Sequence, residues 1–182
     1  MQVNRADKYV AIDCEMVGGE GSKDLLARVS LVNRDGDVLL DTFVRPKERV
    51  LDYRTEVSGV RKQDLLRAPS FEEAQAKVAR LLENKVLVGH DLKHDMKVLL
   101  LSHPKRHTRD TSQYEPFHKV AKTKRPGLRK LVHLVLGTRI QTGEHSSVED
   151  ARATMALYRH AAKDWEKELK SKRYGTTDKK IA

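Results

Sequence analysis

The chain has 182 residues, 38% of them hydrophobic, with 36 Lys+Arg against 26 Asp+Glu and a formal net charge of +10. That size and apolar content suit one globular domain with a real core. The lone cysteine, Cys14, excludes an intramolecular disulfide, and the absence of a membrane-length apolar stretch or a signal-peptide pattern gives no reason to expect a membrane.

The excess of positive charge points to a polyanionic partner, because clustered Lys and Arg release counterions when they meet phosphates. Basic residues gather at Lys122, Lys124 and Arg125, and again at Lys170, Lys172 and Arg173. Either cluster read alone is also compatible with a solvated face.

In chain order, "KYVAIDCEM" from Lys8 reads as a buried strand and "ARVSLVN" from Ala27 as a second. "RDGD" (34–37) is a turn signal and "VLLDTFV" a third strand, so the three make an antiparallel meander. "SFEEAQAKVARLLENK" is a helix. Ser70 and Glu73 form a capping-box pattern, and Phe71, Ala74, Val78, Leu81 and Leu82 make one apolar stripe. "VLVG" (86–89) is a short buried strand, followed by the helix "LKHDMKVLLL", which Asp91 can cap, and by a last short strand, "TRD" (108–110). Residues 111–125 read as an irregular basic loop. "RPGLRKLVHLVLG" is a helix with Pro126 in its first turn and Gly137 at its end, and the last helix runs from about Ser147 to Leu169. With no internal repeat and no linker, we read one domain over 1–182, with a core at about 8–170 and a loose polar tail at 171–182. Met1 lies close to the first strand, so an excised domain fits, and no targeting signal is read.

Asp13 and Glu15 stand at i and i+2 of the first strand, so both point to one face and Cys14 to the other. Buried together they repel, and a divalent cation supplies the compensating charge; on a water-facing edge they need none. The apolar "YVAI" before them favours burial. In "GHDLKHD", Asp95 falls in the first turn of a helix, whose N-terminal end favours a carboxylate. His90 and His94 read as hydrogen-bonding or surface groups rather than metal ligands. In "HSSVED", Ser146 and Glu149 form a capping-box pattern, Asp150 lies in the first helical turn, and His145 stands just outside on the entering loop. That spacing sets a base beside a ligand without making it one.

The ordered set "DCE", "GHDLKHD" and "HSSVED" resembles the DEDD exonuclease superfamily in its histidine-bearing branch; the tyrosine-bearing branch would place its tyrosine where Ser146 stands. "AIDCEMVG", "DYRTEVSG", "VLVGHDLKHD", "RDTSQY" and "HSSVEDARATMALY" are similar to the Rex family of RNA exonucleases and the related interferon-stimulated exonuclease, over roughly Tyr9 to Trp165. "HP…RDT" and "KTKRP" most resemble its ribosome-biogenesis branch.

The resemblance implies an α/β, ribonuclease H-like fold, a mixed five-stranded sheet flanked by helices. It implies 3′→5′ hydrolysis of single-stranded RNA to nucleoside 5′-monophosphates, in ribosomal RNA processing (pre-rRNA) in the nucleus and its nucleolus, by a monomer. Asp13, Glu15, Asp95 and Asp150 would bind two Mg²⁺ or Mn²⁺ ions, with Asp13 bridging, and His145 would be the general base. Hard oxygen ligands suit those ions better than zinc. Met16 would pack on the terminal nucleotide, Arg54 would lie near its sugar, and His90 would belong to the substrate site. Proofreading DNA exonucleases more usually carry threonine where Met16 stands, which makes DNA the weaker substrate. Two rival readings are a catalytically silent RNA-binding module of ribosome assembly and a DNA-preferring exonuclease; basic charge serves the first equally well.

Overall fold

In the computed structural model, which describes residues 8–174, the strands are β1 (Tyr9–Gly18), β2 (Asp24–Asn33), β3 (Val38–Phe43), β4 (Val86–Gly89) and β5 (Thr108–Asp110). The helices are α1 (Thr55–Ser58), α2 (Lys62–Leu66), α3 (Phe71–Leu82), α4 (Leu92–Val98), α5 (Glu115–Ala121), α6 (Leu128–Leu136) and α7 (Ser147–Tyr174). The sheet order is β3-β2-β1-β4-β5. β1, β2 and β3 are antiparallel neighbours, and β4 and β5 add in parallel, so the mixed five-stranded sheet expected from the sequence is present.

Alternation along β1 divides the core. Ala11 packs with Val32 and Val88 under α5, α6 and α7, while Val10, Ile12 and Cys14 pack under α3 and α4. β1 is longer than its parallel neighbour: only Tyr9–Ala11 pair with β4, at Val86–Val88. From Ile12 onward β1 keeps β2 on one side, with a bulge between Glu15 and Met16, and among the described residues no parallel strand on the other. This notch, at the carboxyl end of β4, is where Asp13 and Glu15 sit.

Several elements differ from the sequence reading. Residues 111–125 are not wholly irregular, because α5 forms within them. Pro116 lies in its first turn, and Phe117 and Ala121, one turn apart, are buried. α1 and α2 have only 4 and 5 residues, too short for a periodic pattern to show. β2 begins at Asp24 rather than Ala27. α4 stops at Val98, and Pro126 precedes the N-cap Gly127 of α6 instead of lying in its first turn. α7 continues to Tyr174, aided by the Glu168–Lys172 pair one turn apart at 2.6 Å, so the expected polar tail begins as helix. The rest of that tail lies outside the described residues. The capping box of α3 forms as expected: Ser70 N–H donates to Glu73 at 2.8 Å, and Glu73 N–H to the Ser70 hydroxyl at 3.3 Å. No helix among the described residues is long and apolar enough to cross a membrane.

Candidate active site

Asp13 and Glu15 share the Ala11 face of β1, and the first turn of α7 brings Asp150 against it. Carboxylate oxygens of Asp13, Glu15 and Asp150 lie within 4.8 Å of one another. Glu15 and Asp150 are buried, at 6% and 3% exposure. Glu15 Oε1 and Asp150 Oδ1 are shielded from water and have no hydrogen-bond partner among the described residues. A buried acceptor without a donor is costly. Clustered hard oxygens with unsatisfied lone pairs are the donor set a divalent cation fits.

Asp95 approaches from α4, on the opposite layer. It is buried, it accepts hydrogen bonds from Cys14, and it lies outside that tightest trio. It is nonetheless part of one charged cluster. Burial, then the charges of Asp95, Asp150 and Glu15, hold the Asp13 carboxyl well above the usual range. Burial and the Asp150 charge push Glu15 up to about 8, against a downward pull from Arg28. Burial raises Asp95 to about 7, although hydrogen bonds from Cys14 oppose it. Burial also raises Asp150, opposed by Gln141 and His145. All four acids hold a proton more tightly than ordinary carboxyls do.

His145 Nδ1 lies 3.8 Å from Asp150 Oδ2, with the ring about a third exposed. The loop that carries it is held by the α1–α2 segment. His145 N–H donates to the Val57 carbonyl at 2.9 Å. Arg61 grips Glu144 with both ends of its guanidinium, at 3.1 and 2.5 Å. Between them Gly59 has φ +65°, and a Cβ there would come within 3.2 Å of the His145 carbonyl oxygen. The "TEVSG" part of the sequence therefore positions the histidine. The side-chain bonds of the capping box expected of Ser146 and Glu149 are not found among the described residues: Glu149 accepts from Gln141 N–H at 3.4 Å, while Asp150 N–H makes the first helical bond to the Ser146 carbonyl at 2.9 Å. Gln141, unmarked in the sequence, donates from Nε2 to Asp150 Oδ2 at 2.9 Å.

The clustered acids other than Asp95, with His145 and Gln141, face a cavity of about 680 Å³. Asp13, Glu15, Asp150 and His145 line one part of it, and Lys93, Lys124 and Arg125 another. Lys122 instead ends α5, with φ 53°. His90 also lines the cavity and pins the basic segment to the sheet: Nε2 is 2.9 Å from the Pro126 carbonyl and Nδ1 2.9 Å from the Thr111 hydroxyl. Burial lowers its pKa, against an upward pull from Asp110. Nε2–H donates to the Pro126 carbonyl, while the Thr111 hydroxyl beside Nδ1 donates to the Gly89 carbonyl at 3.0 Å. His94 is exposed and 3.4 Å from Asp91.

Asp91 does not cap α4. Its φ of 58° is left-handed, whereas a capping side chain needs an extended backbone. Asp110 takes over, accepting from Asp91 N–H at 2.9 Å and Leu92 N–H at 3.0 Å. Neither Met16 nor Arg54 is among the described residues lining the cavity. Met16 packs against the core under α3 and α4, and Arg54 donates to Asp24 at 2.8 Å.

Residues 10–158 match the family model described as Exonuclease (RNase_T). The chain is 57% identical over 164 residues to RNA exonuclease 4 of Cryptococcus neoformans, covering 89% of this chain and 40% of that protein. It is 54% identical to RNA exonuclease 4 of Saccharomyces cerevisiae, covering 88% of this chain and 56% of that one. The chain thus spans about half the length, or less, of these relatives. Among solved structures, the pseudoubiquitin hydrolase–RNA exonuclease module of Saccharomyces cerevisiae Pan2 in complex with A7 RNA superposes with a TM-score of 0.77 at 28% identity, covering 98% of this chain and 32% of that one. The Neurospora crassa Pan2 catalytic unit gives 0.77 at 27% identity, covering 94% and 30%. The fold is the ribonuclease H-like arrangement of these nuclease domains.

Proposed function

The chain belongs to the exonuclease family, and on that premise we propose that it hydrolyses single-stranded RNA from the 3′ end, releasing nucleoside 5′-monophosphates in a divalent-metal-dependent reaction. The observation that carries this reading is the pair of orphaned carboxylate oxygens, on Glu15 and Asp150, in a cluster facing a cavity shared with Lys93, Lys124 and Arg125. The relatives named as RNA exonucleases, and the Pan2 neighbour bound to RNA, support RNA as the polymer.

Two Mg²⁺ or Mn²⁺ ions held by Asp13, Glu15, Asp95 and Asp150 would supply Lewis-acid activation and neutralise charge developing on the scissile phosphate. The chain's own residues do the rest. His145 takes the proton of the attacking water, and its loop position beside Asp150 keeps the ring free to receive it. Gln141 fixes one oxygen of Asp150. Lys124 and Arg125, held by the His90–Pro126 contact, grip the RNA backbone. Met16 and Arg54 read the last nucleotide and favour RNA over DNA; Arg54 then exchanges its Asp24 contact for the sugar.

The physiological substrate we infer is pre-ribosomal RNA, in the nucleus and its nucleolus, with the protein acting as a monomer. That part rests on the branch resemblance and not on the site. The deciding assay is incubation of 3′-labelled and 5′-labelled single-stranded RNA and DNA with Mg²⁺, with Mn²⁺ and with chelator. Mononucleotide release from RNA 3′ ends, abolished by chelator, is expected. Binding without cleavage would instead favour a silent assembly module, and faster loss of DNA a DNA exonuclease.

A further inference from the structure

The strand that faces the two β1 acids carries a cation of its own. Arg28 stands directly across from Glu15 in the β1–β2 ladder, as Ser30 stands across from Asp13. Cross-strand partners on one face lie within side-chain reach of each other. A guanidinium laid on Glu15 would give its orphaned oxygen a donor and occupy the place of a divalent ion.

The structure places Arg28 elsewhere. Its Nε and Nη2 donate to Asp41 on β3, at 2.9 and 2.8 Å, and its guanidinium carbon lies 5.2 Å from the centre of the Phe43 ring. Asp41 is itself fixed, because the buried Ser30 hydroxyl donates to its Oδ1 at 2.8 Å. Having spent its proton there, Ser30 accepts from the Ser147 hydroxyl, 2.6 Å away at the start of the helix that bears Asp150. Arg28, Asp41, Ser30 and Ser147 form one polar chain from β3 to α7. It lies beside the acids and supplies no donor to Glu15 Oε1 or Asp150 Oδ1.

We propose that Asp41 is a positioning residue that holds Arg28 away from Glu15 and so keeps the carboxylate cluster open to divalent cations. The proposal rests on the metal-dependent reading above. Arg28 is then a built-in competitor for the metal, latched to the neighbouring strand. Without Asp41, the acid directly across the ladder from Arg28 is Glu15, whose Oε1 has no donor among the described residues. The new pair would close the cluster although every metal-binding acid is left unmutated.

Calorimetric titration with Mn²⁺ of the wild type, Asp41→Asn, Arg28→Gln and the double variant tests this. Asp41→Asn should weaken Mn²⁺ binding by roughly tenfold or more, the scale of a hydrogen bond to a charged group. The double variant should regain at least wild-type affinity. Arg28→Gln alone should also bind at least as tightly as wild type, which keeps the test decisive even if Asp41→Asn folds poorly. In chelator, Asp41→Asn should melt no lower than the double variant, because the freed arginine finds Glu15; a purely structural role for Asp41 would not give that order. Unchanged affinity in Asp41→Asn, a double variant that stays weak, or looser binding in Arg28→Gln would each overturn the latch. A wild type that binds no Mn²⁺ overturns the metal-dependent reading with it, whereas a wild type that binds while the variants misbehave overturns the latch alone.

Discussion

The Arg61 guanidinium holds the Glu144 carboxylate at both ends, one residue before His145, and so ties the α1–α2 segment to the loop of the candidate base. An exposed ion pair of this kind adds little to global stability. What it restricts is the freedom of a short loop, and a base displaced by about 1 Å can lose up to about 10²-fold in rate.

Arg61→Gln or Glu144→Gln should therefore lower kcat, by up to about 10²-fold, with little change in melting temperature or Mn²⁺ affinity. The exchanged pair, Arg61→Glu with Glu144→Arg, should recover part of the loss. Steady-state kinetics on labelled RNA decides it: equal kcat in all four proteins would make the pair a surface ornament.

His145→Ala should cut the rate by about 10²–10⁴, the span for losing a positioned acid–base group. Mn²⁺ affinity should hold. If metal binding collapses along with the rate, the histidine is a ligand after all.

In metal-free buffer the acids should make the protein less stable as pH rises. Glu15 and Asp95 titrate at about 8 and about 7 in the fold, against ordinary values of 4.5 and 3.8. Between those limits the folded protein holds more protons than the unfolded chain, so stability falls with rising pH. Asp41 and Glu166, whose carboxyls are lowered, act in the opposite sense, but only below the ordinary carboxylate range. Melting temperature in chelator should therefore decline from about pH 4 to about pH 8, less steeply in Glu15→Gln, and Mn²⁺ should offset the decline. A melting temperature that climbs through that interval contradicts the electrostatics described for the cluster.

RNA affinity should depend on salt through Lys124 and Arg125 more than through Lys122. The first two line the cavity, and the third ends α5. Replacing both with serine should reduce the slope of log affinity against log salt by about 1 to 2, whereas Lys122→Ser should leave it nearly unchanged. Anisotropy titrations of a labelled oligonucleotide over a salt series give the slopes. Equal slopes throughout would move the backbone contact elsewhere on the surface.

The parts of this molecule legible in sequence are those whose residues carry their own signal. β1 announces itself by an apolar run with two acids two residues apart, and α3 by its stripe and capping box. The elements that escaped have weak or borrowed signals. In α5 the buried pair Phe117 and Ala121 is masked by His118, Lys119 and Lys122. At Asp91 a left-handed backbone, which no side-chain type there announces, redirects the cap to Asp110. Arg28 and Gln141 gain meaning only from pairing register and loop path. Arg28 faces Glu15 because of a β1–β2 alignment that no local pattern states. The candidate acids and base were visible as a set; the groups that aim and guard them were not.

Asp110 carries a consequence of its own. Its carboxylate takes Asp91 and Leu92 N–H groups from the start of α4, and the Ser112 N–H and hydroxyl from the end of its own strand. α4, and with it Asp95, is stapled to the neighbouring parallel strand by this carboxylate. The coordinates of one candidate ligand are therefore inherited from a residue outside the trio of clustered carboxylates. A mutational screen scored on turnover alone would rank Asp110 beside the four acids. Only a measurement of where α4 sits, such as amide exchange at Leu92, would reveal that what had been lost was a mooring.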